Sequence, residues 1–157
     1  LYAIAAARAL GAASIAAADL SAPRVAMATR VGADRPVPAA TLPDNAFHVV
    51  IDATGSTSAI EGALVAIRPG GMMILVGLPD RPISIPPHHL INREITVRGI
   101  YGRLIDETWI AAMRLLESGR LALDGIETAE FPLADFDAAF HRADSGTTGK
   151  VIFNLDA

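Results

Sequence analysis

Asp19 closes a short apolar run, Ser14 to Ala18, which follows an Ala-rich helical stretch from Leu1 to Gly11. A carboxylate at the end of such a strand can accept hydrogen bonds from both hydroxyls of a ribose. Its charge repels a phosphate on the 2′ oxygen, which favours NAD over NADP. In a βαβ dinucleotide-binding unit that acid lies roughly 20 residues beyond a G-x-G-x-x-G loop. Counting back from Asp19 places the loop immediately before Leu1. The chain is therefore expected to carry the half of the unit that recognises ribose, without the half that cradles pyrophosphate. The plainer alternative is a surface acid or helix cap. Arg24, five residues on, lies over the adenine or beside the ribose in the first reading, and is a solvated helix arginine in the second.

Two further loops have the composition of a ligand edge. Ala53-Thr54-Gly55 and Val76-Gly77-Leu78 each end an apolar run. In open α/β sheets ligands bind outside the carboxyl ends of the strands, and small residues there admit a cofactor to the backbone. Glycine after a strand is also ordinary turn chemistry. The histidines carry less. His48 sits inside a strand, adjacent His88 and His89 diverge, and His141 lies on a helix. Gly55-Ser56-Thr57-Ser58 lacks the closing glycine of a nucleophile elbow. No paired carboxylates stand out for acid–base work, and Asp52 reads as a support for the loop that follows it. No catalytic residue and no metal ligand is assigned.

Alternating elements must position these groups. Ser21 is placed to cap a helix with Pro23 in its first turn, ending at Gly32. A weak strand is expected at Arg35 to Pro38 and a turn at Asn45. Phe47 to Asp52 has the continuous apolar character of a buried parallel strand. Ser58-Ala59-Ile60-Glu61 matches a capping box, and Ile60, Ala63, Leu64 and Ile67 fall on one helix face. Pro69-Gly70-Gly71 is expected to end that helix before a strand from Met72 to Val76. Short strands are expected at Ile83–Ile85 and Glu94–Gly99. Beyond Gly102 two helices follow, one carrying Trp109, Met113 and Leu116, the other Phe136, Ala139, Phe140 and Ala143. A last strand runs from Val151 to Leu155. The fold class is α/β, a Rossmann-type doubly wound parallel sheet lacking its first strand. In a 3-2-1-4-5-6 order that strand is central. Without it the chain forms two half-sheets, or strand 2 pairs with strand 4.

Composition narrows the class. The 157 residues are 52% hydrophobic and only 5% aromatic, so the core is built from Ala, Val, Ile and Leu. A chain of this size buries about 68–70% of its unfolded surface, enough for a core without staples. Net charge is −4 and no basic stripe is visible, which argues against nucleic acid. No cysteine is present, so disulfides and thiolate metal sites are excluded, in keeping with a cytoplasmic setting. The apolar start lacks a basic n-region and carries Arg8, unlike a signal peptide. The longest apolar stretch, Gly62 to Leu78, is interrupted by Arg68-Pro69-Gly70-Gly71, which argues against a membrane span.

The ordered series A-R-A-L-G-A, A-D-L-S-x-x-R, D-A-T-G-S, R-P-G-G-x-x-x-x-V-G-L-P, I-T-V-R-G-I-Y-G-R, L-L-x-S-G-x-L and G-K-V-I-F resembles the C-terminal half of zinc-dependent medium-chain dehydrogenases, the alcohol, sorbitol and threonine dehydrogenase superfamily. The resemblance covers essentially the whole chain. It implies that Asp19 and Arg24 hold the adenosine ribose of NAD. It implies that Thr54, Gly55, Gly77, Leu78, Ile100 and Tyr101 line the rest of the cofactor track. Residues 1–103 then form a partial NAD-binding domain, and 104–157 an α+β return segment that packs on the catalytic domain. The 83–85 strand would pair between subunits of a homo-oligomer. The family's zinc ligands match nothing in this chain. The implied reaction is hydride transfer from a small secondary alcohol to NAD, with this portion inactive alone. Two other readings are an association module without activity and a methyltransferase, which also places an acid after its second strand.

Overall fold

The computed structural model describes residues 1–79 and 81–155 and resolves into two compact units, residues 1–37 with 109–157, and residues 38–108. The first unit opens with α1 (Tyr2–Ala9), β1 (Ala16–Ala17), α2 (Ala22–Arg30) and β2 (Arg35–Pro36). β1 and β2 pair in parallel, Ala16 opposite Arg35 and Ala17 opposite Pro36. Ser21 caps α2 as expected, its hydroxyl accepting the Arg24 N–H, and Pro23 sits in the first turn. Gly32 ends that helix at φ +116°, a left-handed value that glycine adopts without steric cost. The core mixes alanines with larger side chains: Ala5, Val31 and Ile126 in one cluster, Ala17, Ala28 and Ala33 in another, and Met27 fully buried. Small side chains there let helix and strand approach closely.

An arginine braces this first βαβ turn. Arg8 donates to the Gly32 carbonyl from Nε (3.1 Å) and to the Ala12 carbonyl from Nη1 (2.9 Å), and pairs with Asp34 at 2.6 Å. Asp34 also accepts the Ile15 N–H at 2.6 Å. That backbone donor, and then Arg8, hold the Asp34 carboxyl below the usual carboxylate range. The same unit contains β6 (Thr128–Pro132), a 3-10 turn (Leu133–Asp135), α6 (Phe136–Asp144) and β7 (Lys150–Asn154). β6 and β7 pair in parallel, with α6 as the crossover.

The second unit is a three-stranded parallel sheet, β3 (Phe47–Asp52), β4 (Ile67–Leu75) and β5 (Thr96–Gly99), in the order β3-β4-β5. β1 and β3 lie in separate sheets. The 3-2 and 4-5-6 portions of the expected order are thus both present, as two half-sheets. α3 (Thr57–Ala66) buries Ile60, Ala63 and Leu64 against Met73 and Ile95. Val50, Met73 and Val97 stand in register toward that helix. Val49 and Ile51, which alternate with Val50, remain 50% and 40% exposed. β3 is therefore covered on one face of this chain, although its sequence reads as buried on both.

Several local expectations are corrected. The cap of α3 is Ser56, whose Oγ accepts the Ala59 N–H at 3.4 Å. Ser58 instead bonds to Ser56, and Glu61 reaches across to accept the Ser84 N–H at 2.9 Å, so no capping box forms. α3 stops at Ala66 and β4 begins at the next residue. The Pro69-Gly70-Gly71 run is a bulge inside β4, which shifts the register between Phe47 and Val49. A Cβ at Gly71 would lie 2.8 Å from the His48 carbonyl oxygen, so only glycine fits. Residues 83–85 are not a strand of this chain. Ile83 and Ile85 are drawn onto the hydrophobic core, and the Glu61 bond takes a ladder donor from Ser84. Two elements absent from the expectations are α4 (Pro87–Ile91) and β6.

A helix that runs directly into a strand has no loop to satisfy its last carbonyls. Here Asn45 N–H donates to Val65 O (3.0 Å) and Ala46 N–H to Ala66 O (2.9 Å). Arg93 supplies the rest, donating to Leu64 O at 3.0 Å, to Asn45 Oδ1 at 2.7 Å, and to Ile67 O. Replacing Arg93 with Met keeps the apolar stem and removes these charged donors. It should destabilise the fold by about 2–3 kcal/mol, measurable as a lower urea midpoint with an unchanged slope. A second expected outcome concerns Asp34. Its folded pKa is depressed, so the unfolded chain takes up the proton first. Its stabilising contribution is present above the unfolded value of about 3.9 and is lost as pH falls through the lower folded value. Asp34→Asn should therefore be less stable than the parent at pH 7, and the difference should vanish on acidification in a series of denaturation curves.

Candidate functional site

The three strands of the second unit end side by side. Their ladder continues past the last residues: Val76 and Gly77 N–H both donate to Asp52 O, at 2.8 and 3.1 Å, and Ile100 N–H donates to Leu75 O at 2.9 Å. This shared register brings Thr54, Gly55, Gly77, Leu78, Ile100 and Tyr101 to one carboxyl edge. Asp19 and Arg24 belong to the first unit.

Asp52 organises the edge. Its buried carboxylate accepts from Thr54 Oγ1 at 2.6 Å, from Thr54 N–H at 3.3 Å and from Gly55 N–H at 3.1 Å. The Thr54 hydroxyl oxygen in turn accepts the Ser56 N–H at 3.0 Å. An anion is stable in that buried place because donors surround it. The expectation that Asp52 supports its loop matches this geometry.

The two glycines have a different steric reason from the one their sequence position invites. A Cβ at Gly77 would lie 2.1 Å from Gly55 N, and a Cβ at Gly55 would lie 2.6 Å from Leu78 O. Each vacancy is filled by the other loop's backbone. Gly55 also adopts φ +68°. The glycines let the two loops touch, and Thr54 is left exposed together with the large side chains of Leu78 at 83%, Ile100 at 45% and Tyr101 at 71%. The Arg103 guanidinium lies 4.8 Å from the centre of the Tyr101 ring.

In the first unit Asp19 stands just past β1 on an exposed turn. One carboxylate oxygen accepts the Ser21 N–H at 2.8 Å. Leu1, at the start of α1, packs against the cluster of Ala17 from β1 and Ala28 from α2, so these elements adjoin.

Among the described residues no group of three His, Cys, Asp or Glu could hold a metal ion. His48 Nε2 is 2.9 Å from Arg68 Nη1, and the His88 and His89 rings, expected to diverge, instead lie with centroids 4.6 Å apart at a tilt of 34°. Two buried polar atoms, Thr57 Oγ1 and His89 Nδ1, have no partner among the described residues. No helix of the described residues is long and apolar enough to cross a membrane.

Residues 1–118 match the family described as zinc-binding dehydrogenase. The chain belongs to this family. L-threonine 3-dehydrogenase of Coxiella burnetii (strain RSA 493 / Nine Mile phase I) is 34% identical over 166 residues, covering 99% of this chain and 48% of the relative. The chain spans about half the length of the curated relatives it matches. Among solved structures, an alcohol dehydrogenase zinc-binding domain protein from Burkholderia ambifaria superposes with a TM-score of 0.86 at 26% identity, over 98% of this chain and 45% of that one. The quinone oxidoreductase of Thermus thermophilus, solved also with NADPH, has a TM-score of 0.77 at 25% identity, over 98% and 53%.

The glycine contacts give a directional test. Gly77→Ala forces backbone against backbone and should cost at least about 2 kcal/mol. Gly62 lies within α3 with nothing within 4 Å of an added Cβ. Gly62→Ala should instead stabilise by about 0.5–1 kcal/mol. Thermal melts of the two variants should move in opposite directions.

Proposed function

We propose that this chain is the cofactor-binding portion of an NAD-dependent zinc-type dehydrogenase that oxidises a small secondary alcohol of the alcohol, polyol or threonine class. The observation that carries the reading is the Asp19 carboxylate. It sits just past the end of β1, a strand that packs with the start of α1, and has one oxygen with no hydrogen bond from the described residues. That oxygen can accept from a ribose hydroxyl, while the charge disfavours a 2′-phosphate. Arg24 would lie beside the adenosine. Thr54, Gly55, Gly77, Leu78, Ile100 and Tyr101 would line the track toward the nicotinamide, where exposed apolar side chains suit a flat ring. A bound nicotinamide would supply the hydride acceptor. The chain's own contribution is to hold and orient that cofactor.

In this proposal residues 1–103 are the cofactor-binding part, and 104–157 return to the catalytic domain of the whole enzyme. Zinc does not fit the residues present: the chain has no cysteine, and the described acids and histidines form no ligand cluster. One observation favours an association role beside the cofactor-binding one. α5 (Ile105–Glu117) contains no buried residue, and Trp109, Ile110, Met113 and Leu116 are all exposed.

Titration calorimetry with this chain should show NAD binding more tightly than NADP, with Asp19→Asn narrowing the difference. Preferential binding of NADP would overturn the assignment of Asp19, and binding of S-adenosylmethionine without NAD would favour a methyltransferase. The chain mixed with Zn²⁺, NAD and L-threonine should produce no absorbance from NADH; measurable turnover would contradict a purely cofactor-binding role.

A further inference from the structure

We infer that Ser21 is a positioning residue, through which the loop between α6 and β7 sets the orientation of the Asp19 carboxylate. This rests on the reading of Asp19 as the ribose acid. Asp19 lies on an open turn, and its neighbour Leu20 is 96% exposed, so packing does not fix the carboxylate. What fixes it is the Ser21 N–H, at 2.8 Å. That donor is only as well placed as the Ser21 peptide. The hydroxyl of Ser21 donates to the Gly146 carbonyl at 2.6 Å, across 125 residues of sequence. Its bond as an α2 cap, from Arg24 N–H, is longer at 3.4 Å. The shorter bond is the stronger tether, and it leads away from the helix.

The receiving loop is a firm post. Gly146 holds φ +68°. Ser145 Oγ bonds Thr147 Oγ1 at 2.7 Å and Thr147 N–H at 3.3 Å. Thr148 is 2% exposed and donates to the Glu127 carbonyl at 3.0 Å, and Gly149 N–H reaches the same carbonyl at 3.0 Å. A Cβ at Gly149 would lie 2.6 Å from Ile126 Cγ2 and 3.1 Å from Met27 Sδ, so this end of the loop is packed between β6 and α2. Occupation of Asp19 and order in the loop are then linked, and linkage acts in both directions.

The test uses this chain and its Ser21→Ala, Ser21→Thr and Asp19→Asn variants. NAD and NADP affinities are measured by calorimetry, and amide hydrogen exchange is followed at Thr147, Thr148 and Gly149. Ser21→Ala should weaken NAD binding by about five- to tenfold and narrow its preference over NADP. Ser21→Thr, which keeps a hydroxyl, should restore both. NAD should slow exchange at the three loop amides of the parent and leave them unchanged in Ser21→Ala. Loss of a helix cap alone would lower the melting temperature without altering the NAD to NADP ratio, and that result would overturn the inference. Equal losses in the Ala and Thr variants, or loop exchange insensitive to NAD, would overturn it too. Binding that Asp19→Asn weakens and Ser21→Ala leaves intact would overturn it while preserving the cofactor reading. No NAD binding by the parent would remove both.

Discussion

The carboxyl edge of the three-stranded sheet depends on one buried anion. Asp52 ends β3 and immediately gathers the Thr54 hydroxyl and the Thr54 and Gly55 amides around its carboxylate. Its own carbonyl accepts from both Val76 and Gly77. One residue thereby fixes the turn after its strand through its side chain, and the neighbouring strand's exit through its backbone. Without it the β3 and β4 loops would lose their common reference, and the close contact of Gly55 with Gly77 would have nothing to hold it in register. A buried carboxylate is costly when unpaired, so the same group that organises the edge also penalises any arrangement in which the turn opens.

Arginines play the corresponding part elsewhere. Arg8 and Arg93 each direct their guanidinium at carbonyls that the local secondary structure leaves without partners. The fork of donors suits this work, because one side chain can reach carbonyls from different turns. Such bonds let short elements stand on a core made largely of alanine. Two-residue strands bury little surface, and here the polar framework keeps them in place.

Much of this was legible from the residues. Continuous apolar runs located β3, β4 and β5, and Ser21 with Pro23 located the start of α2, because these signals are local. The position of Asp19 at a strand end was readable from the apolar run before it, and it stands just past β1. The failures came where distant partners decide. The Ser58–Glu61 spacing imitates a capping box, but Ser56 lies two residues earlier and Ser84 competes for the glutamate. Pro69-Gly70-Gly71 looks like a helix stop, yet Arg93 and the Asn45 and Ala46 amides end α3 before it. β6 carries Glu130 and Pro132 and lacks a strong apolar alternation; it becomes a strand by pairing with β7. The glycines of the two loops were readable as small, but what occupied their space was not. A gap in one loop can be filled by a cofactor or by another loop, and only geometry tells which.

The backbone contact between Gly55 and Gly77 has a consequence for inheritance and for engineering. The two loops behave as a single movable part. A graft that transplants one of them from a dehydrogenase of different cofactor preference would arrive with a partner shaped for another neighbour. A substitution at either glycine would strike both loops at once. Changes along this edge should therefore proceed by paired replacement, with the two segments travelling together.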